Sequence, residues 1–270
     1  VRESGDLWKM RERSLDRARK SARRGDPEGL HDLRVALHRV SATARALGRR
    51  NVARRANKLV RSLSEQRQVQ VDRQLLARLG KLGFLSPDAV TALAARWEKL
   101  AIRGERRVLR AADGRVVRRL LRRLDRLSRR DDETAVPRLE RARRKAEAKL
   151  AQPIEGKDDY GLHRHRIAVK KARYLAEDLA ALGLRRWTNQ VEREKETQEA
   201  LGRWNDLRLF RQRLAESRDE AEERGAVTLA AEIEQVLALL EPAVAGIRRQ
   251  AVDASRNTAG VVPIRRFAAN

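Results

Sequence analysis

Four side chains, His163, Arg166, Lys170 and Tyr174, recur at spacings of three and four residues. Wound at 3.6 residues per turn, they stack on one face of a helix. His165, Val169, Ala172, Ala176 and Leu179 fall on the opposite face. The polar face is a ladder of imidazole, guanidinium, ammonium and phenol, and its first acid is Glu177. A face built for solubility alone would mix in acids as i,i+4 pairs. Earlier in the chain the pattern occurs again: His31, Arg34, His38 and Arg45 share one face, with Leu33, Leu37, Val40, Ala44 and Leu47 opposite. Apolar positions match as well as polar ones, so the chain reads as two related halves.

Polyanion binding is the chemistry such ladders can do. Arg and Lys make charge-assisted hydrogen bonds to phosphate oxygens. A neutral His adds one N–H donor, a protonated His two, and Tyr174 has a hydroxyl to donate. Rungs spaced along an axis suit a linear anion better than a single phosphate. The competing reading pairs these residues with acids on neighbouring helices. It bears most on Arg39 and Lys171, which sit off the main stripe.

Metal binding has little support. His31 and His38 are two turns apart, His163 and His165 point to opposite sides, and no Cys is present. A metal would need ligands assembled between helices. For catalysis there is no Gly-rich phosphate loop, no nucleophile elbow and no His-Glu-x-x-His. Asp206 and Glu177 read as single capping or pairing acids. The expectation is a binding protein that is not an enzyme, with no metal and no cofactor. Trp8, Trp97, Trp187 and Trp204 are scattered along the chain and read as packing residues, not as stacking platforms for bases.

Composition agrees with a polyanionic partner. Of the 63 Lys and Arg residues 11 are Lys, the formal net charge is +25, and aromatic residues make up 3%. Arg stays charged at any physiological pH and grips phosphate with a planar fork. A sequence pI near 11.5 points to nucleic acid, an anionic membrane or a phosphate polymer. The lack of Cys excludes disulfides and thiolate metal sites. No apolar run reaches the length of about 18 residues that spans a bilayer, and no signal peptide is visible. The chain begins at Val1, which leaves room for an upstream segment.

Helix signals dominate the elements that must position these residues. Helices are expected at about 6–24, 27–47, 51–79, 86–102, 104–130, 134–150, 160–182, 186–222 and 226–250, with 251–270 a loose tail. Asp26-Pro27-Glu28 reads as an N-cap with Pro at the first helical position. Residues 153–159 read as a linker. The fifth helix is the most basic: Arg115, Arg118, Arg119, Arg122, Arg123, Arg126, Arg129 and Arg130 crowd one side, and Val117, Leu120, Leu121, Leu124 and Leu127 take the other. Helices joined by short loops bury their stripes by bundling. The expected fold is therefore all-α, a single domain over 5–250 made of two pseudo-symmetric four-helix bundles. The halves cover about 5–130 and 131–250, with the boundary somewhere in 101–155. A second pair of repeats agrees with this. Leu63-Ser64-Glu65-Gln66-Arg67-Gln68-Val69 follows the first ladder much as Leu201-Gly202-Arg203-Trp204-Asn205-Asp206-Leu207 follows the second.

These residues carry a resemblance. Asp26-Pro27-Glu28-Gly29-Leu30-His31-Asp32-Leu33-Arg34-Val35, continued by His38-Arg39, resembles the first signature of the CHAD domain, the conserved histidine α-helical domain. Leu162-His163-Arg164-His165-Arg166-Ile167-Ala168-Val169-Lys170-Lys171-Ala172-Arg173-Tyr174 resembles its second. Leu201-Gly202-Arg203-Trp204-Asn205-Asp206 is similar to its Leu-Gly…Asp turn, and Asp113-Gly114-Arg115 sits where the family often opens a basic helix with Ser-Pro-Arg. His38 stands in place of a usual Arg, Ser41 of a common basic residue, and Gln68 of a frequent Asp. The resemblance covers roughly residues 5–250. It implies a basic groove or pore between the two bundles and non-catalytic binding of long-chain inorganic polyphosphate. A CYTH-type triphosphate-tunnel barrel accompanies some such domains, but its paired-Glu-plus-Lys strand motif is missing here. Ladders, fifth helix and signatures together give the expected binding residues: His31, Arg34, His38, Arg39, Arg45, Arg115, Arg119, Arg122, Arg126, His163, Arg166, Lys170, Lys171, Arg173 and Tyr174. Inorganic polyphosphate is the expected partner, in the cytoplasm and on polyphosphate granules, with no membrane partner. A nucleic-acid-binding protein using the same basic surface is the alternative.

Overall fold

The computed structural model describes residues 3–26, 28–152 and 159–260. Among the described residues all regular structure is helical: α1 (Ser4–Arg23), α2 (Gly29–Ala46), α3 (Arg50–Ser62), α4 (Ser64–Lys81), α5 (Pro87–Asp113), α6 (Arg115–Ser128), α7 (Ala135–Leu150), α8 (Asp159–Ala181), a 3-10 turn (Arg185–Trp187), α9 (Thr188–Glu223) and α10 (Val227–Gly260). The all-α class expected from the sequence is the observed one. Val1, Pro27 of the expected N-cap, the linker stretch 153–158 and residues 261–270 of the expected tail lie outside the described residues.

Local chemistry explains where the helices stop. Gly48, at φ 75°, takes a left-handed conformation that side chains disfavour, and it ends α2. Gly29 lets α2 start hard against α1, since a Cβ there would sit 2.7 Å from the Ala22 backbone nitrogen. Ser86 caps α5 by accepting from the Ala89 N–H at 3.1 Å, with Pro87 in the first turn.

Three boundaries differ from the periodicity reading. The helix expected over 51–79 is broken at Leu63 into α3 and α4. There the hydroxyls of Ser62 and Ser64 donate to the carbonyls of Leu59 and Val60 at 2.8 and 2.9 Å, while Leu63 is fully buried. Such back-bonding competes with the helical ladder. The stop expected near Gly104 falls instead at Gly114, whose backbone is extended at ψ 155°. A glycine inside a helix is tolerated at a cost of about 1 kcal/mol. Last, α10 continues to Gly260, with Ala251 and Ser255 buried, so 251–260 is helix where a loose tail was expected.

Packing follows the apolar stripes into three clusters. One joins α1, α2, α3 and α6 to the start of α7 and the end of α8, through Leu15, Leu33, Leu37, Val60, Leu120, Leu139 and Leu179. Another joins α4 and α5 to α9 and α10 through Leu76, Trp97, Phe210 and Ile233. The third joins α7 and the first half of α8 to α9 and the end of α10, through Leu150, Val169, Leu201, Trp204 and Ala251. The first two clusters draw residues from both sides of residue 130. Buried ion pairs fix the registers between helices. Arg11 of α1 grips Asp178 of α8, which also accepts the Thr43 hydroxyl of α2 at 2.7 Å. Arg143 of α7 pairs with Glu194 of α9. Removing one partner of such a pair leaves a buried uncompensated charge.

Candidate functional site

The stripes that fill the cores turn the opposite faces of α2 and α8 toward each other. α2 buries Leu33, Leu37, Val40 and Ala44, and α8 buries Leu162, Val169, Ala172 and Leu179. Between them, closed on the other sides by α4 and α9, lies a cavity of about 1020 Å³. α2 supplies His31, Arg34, His38 and Arg39, and α8 supplies His163, Arg166, Lys170 and Arg173. Eight of the fifteen expected residues thus line one cavity, three from each ladder together with Arg39 and Arg173 beside them.

The cavity is strongly cationic. Nine Arg or Lys side chains line it against four carboxylates, Asp32, Glu65, Glu199 and Asp206. Among the described residues, Arg34, Arg67, Arg166, Lys170 and Arg208 have no carboxylate within ion-pair distance. The contact of Arg34 with the Ser64 hydroxyl is long, at 3.5 Å. The Arg34 Nε, Arg67 Nη1 and Arg208 Nε atoms are buried without a hydrogen-bond partner. Burial pushes Lys170 down to about 7, helped by Arg166, Arg34 and Arg173. Burial likewise takes His38 down to about 3, with Lys170, Arg34 and Arg166 adding to the effect. His31 and His163 are lowered mainly by burial and then by Arg67 and Arg166 respectively. The cavity histidines are therefore neutral near pH 7, each with one donor and one acceptor nitrogen. Both Arg34 and Arg166 are lowered by burial; Arg166 further lowers Arg34, and Asp206 partly offsets the effect for both.

Two lining arginines do have partners. Arg39 grips Glu177 with its Nε and Nη2 at 2.7 and 3.0 Å, and Arg173 lies 3.7 Å from the same carboxylate. Their guanidinium groups sit 5.7 and 5.2 Å from the centre of the Tyr174 ring. Arg39, which the sequence leaves open to a pairing role, thus lines the cavity as an ion-paired, stacked side chain.

The other expected residues lie elsewhere. Tyr174 is buried beneath the two arginines, its hydroxyl without a partner, and does not line the cavity. Lys171, turned about 100° from Lys170 by the helix, lines a separate cavity of about 340 Å³ with Lys149 and His165. Arg45, exposed, stands near enough to Lys171 to help lower it, after burial and Lys149. On α6, Val117, Leu120 and Leu124 enter the first core, so the arginine face turns away from the central cavity. Arg119, Arg122 and Arg126 line a different hollow with Arg55 and Arg123, and Arg115 is exposed at the start of that helix.

α4 and α9 bring residues that the ladder reading missed: Ser64, Arg67 and Gln68 from one, and Lys195, Gln198, Arg203, Asn205, Asp206 and Arg208 from the other. Their signal was the second pair of repeats, which placed Ser64–Gln68 and Gly202–Asp206 in matching positions. Gln68 donates to Asp72 at 2.8 Å, and Asp72 pairs with Arg213 of α9 at 2.8 Å, which fixes α4 against α9. Among the described residues no cluster of three or more His, Asp or Glu is placed to hold a metal ion, and no helix is long and apolar enough to cross a membrane.

A family model described as CHAD domain matches residues 9–215. The CHAD domain from the plant Ricinus communis is similar in structure, with a TM-score of 0.71 and 20% identity over 96% of this chain and 90% of that one. PptA from Streptomyces chartreusis is similar at a TM-score of 0.61 and 17% identity, over 96% of this chain and 98% of that one. At such identities the likeness is one of fold. No curated protein matches the chain.

Proposed function

The chain belongs to the CHAD domain family, and on that premise we propose that it binds long-chain inorganic polyphosphate in the cavity between α2, α4, α8 and α9, without a catalytic step. One observation carries the reading: five half-buried Arg and Lys side chains converge on a single cavity with, among the described residues, no carboxylate in ion-pair reach. A buried charge without a partner is costly. A polyanion threaded along the cavity supplies the missing acceptors as charge-assisted hydrogen bonds. Because the cations come from four helices, a single phosphate cannot meet them all. In this reading α2 and α8 are equivalent members of two related halves.

The same lining speaks for a phosphate chain over nucleic acid. Among the described residues no Phe, Tyr or Trp lines the cavity. Single-stranded nucleic acid is held largely by bases stacked on aromatic rings, and a chain of bare phosphates needs none. The test is displacement of labelled long-chain polyphosphate at fixed salt by triphosphate, duplex DNA, RNA and heparin. Unlabelled long-chain polyphosphate should compete best per phosphate, and triphosphate far less well. Equal competition by DNA or RNA, or by triphosphate, would overturn the assignment.

A further inference from the structure

Helices α3 and α6 build a second cationic surface, separate from the cavity. α3 buries Val52, Ala56, Leu59 and Val60, α6 buries Val117, Leu120 and Leu124, and both stripes enter the first core. α2, whose other face walls the central cavity, contributes Leu33, Leu37 and Val40 to that core. Apolar packing therefore lies between the two basic surfaces. Where α3 and α6 meet, Arg55, Arg119, Arg122, Arg123 and Arg126 line a hollow of about 220 Å³. All five are exposed, and among the described residues no acid lines the hollow. Around it α3 adds Arg54, Lys58 and Arg61 and carries no acid, while α6 has one, Asp125, held by Arg129 at 3.0 Å.

Nothing in folding favours this arrangement. On α6 the i,i+4 pairs Arg115/Arg119, Arg118/Arg122, Arg119/Arg123 and Arg122/Arg126 are all like-charged, which weakens a helix. Its first turn has no acid, against the preference set by the helix dipole. A ligand that bridges the guanidinium groups would remove the repulsion. A membrane surface is a poor match, because α6 spends its apolar stripe on the core, whereas surface-bound helices lay theirs into lipid. A base-stacking strand is another poor match, because among the described residues no aromatic side chain lines the hollow. Planar forks converging on a small hollow suit bare phosphate oxygens.

We propose that this α3–α6 face is a second binding site for inorganic polyphosphate, independent of the central cavity, so that one molecule holds two chain segments and cross-links them. The ligand class rests on the reading of the central cavity; the location of the site does not.

The test titrates polyphosphate into four proteins followed by calorimetry and light scattering. They are the wild type, a face variant (Arg119→Gln, Arg122→Gln, Arg123→Gln and Arg126→Gln), a cavity variant (Arg34→Gln and Arg166→Gln), and a control with four scattered exposed cations removed (Arg78→Gln, Lys81→Gln, Arg141→Gln and Arg144→Gln). Melting curves show that each is folded. The wild type should show two classes of site and scatter light strongly with long chains. The face variant should weaken one class by at least about tenfold, as expected when several phosphate contacts are lost, and should no longer cross-link. The control should keep both classes. If the face variant keeps both, or the control loses as much, the proposal fails. Loss of one class in the face variant with none in the cavity variant would support this site and overturn the cavity reading instead. A parallel titration with duplex DNA completes the test. Tighter binding of DNA than of polyphosphate per phosphate, abolished in the face variant, would make the surface a nucleic-acid site and overturn the proposal.

Discussion

Lys170 is the residue whose charge the cavity controls most directly. Burial, with Arg166 and Arg34, pushes it from 10.5 down to about 7, so the empty protein at pH 8 holds it mostly neutral. A bound phosphate chain favours the ammonium form and draws its pKa back up. Affinity should therefore strengthen as pH falls from about 10 to about 7, beyond which Lys170 adds nothing further. Calorimetry at pH 8 in buffers of different protonation enthalpy should detect proton uptake on binding, and Lys170→Gln should abolish most of it. For the empty protein the sign is opposite in use: between about 7 and 10.5 the unfolded chain binds the extra proton, so stability should rise with pH in that window. Much of this residue-level picture was legible beforehand, because helical periodicity alone put His31, Arg34 and His38 on one stripe and His163, Arg166 and Lys170 on another. Tyr174 obeys the same periodicity yet is buried under Arg39 and Arg173. A periodic stripe says which side chains share a face, and neighbouring helices decide how far along the face solvent reaches.

At the scale of elements, α9 shows how a wall of the cavity is kept open. Gly202 lies mid-helix facing the cavity, and a Cβ built on it would meet nothing within 4 Å. Gly202→Ala should raise stability by about 0.5–1 kcal/mol, the difference in helix propensity, with polyphosphate affinity nearly unchanged. Gly202→Trp should keep the helical circular dichroism spectrum and lose affinity, because its ring would occupy the space of the chain. Equal affinity in the Trp variant would argue that the ligand does not pass α9. Helix existence was legible almost throughout, since stripes such as Leu33, Leu37, Val40 and Ala44 name their own period. Breaks were less so. The split at Leu63 depends on two serine hydroxyls choosing backbone carbonyls, and α5 runs on through Gly104 because a lone glycine is only a weak local stop. The outward turn of the α6 arginines followed from which helix its leucines would meet, and an amphipathic pattern does not contain that information.

For the whole molecule, a formal charge of +25 and a cavity rich in unpaired cations mean that the empty protein carries its own repulsion. Polyphosphate should raise the melting temperature, by the equivalent of about 2.7 kcal/mol at a free concentration a hundred times Kd. Added salt should shrink that rise, as log affinity falls roughly linearly with log salt, while leaving the empty protein no less stable. The most direct test of the central claim, that the two ladders act as one anion site, is a double-mutant cycle on Arg34 and Arg166. Polyphosphate affinity and melting temperature would be measured for the wild type, Arg34→Ala, Arg166→Ala and the double variant. Each single change should weaken binding by about 1.5–3 kcal/mol, the scale of hydrogen bonds to charged groups. The double should depart from additivity because both contact one ligand segment, and melting temperatures without ligand should hold or rise. Variants that unfold while the remaining folded molecules bind polyphosphate as tightly as the wild type would contradict the account and make the ladders structural.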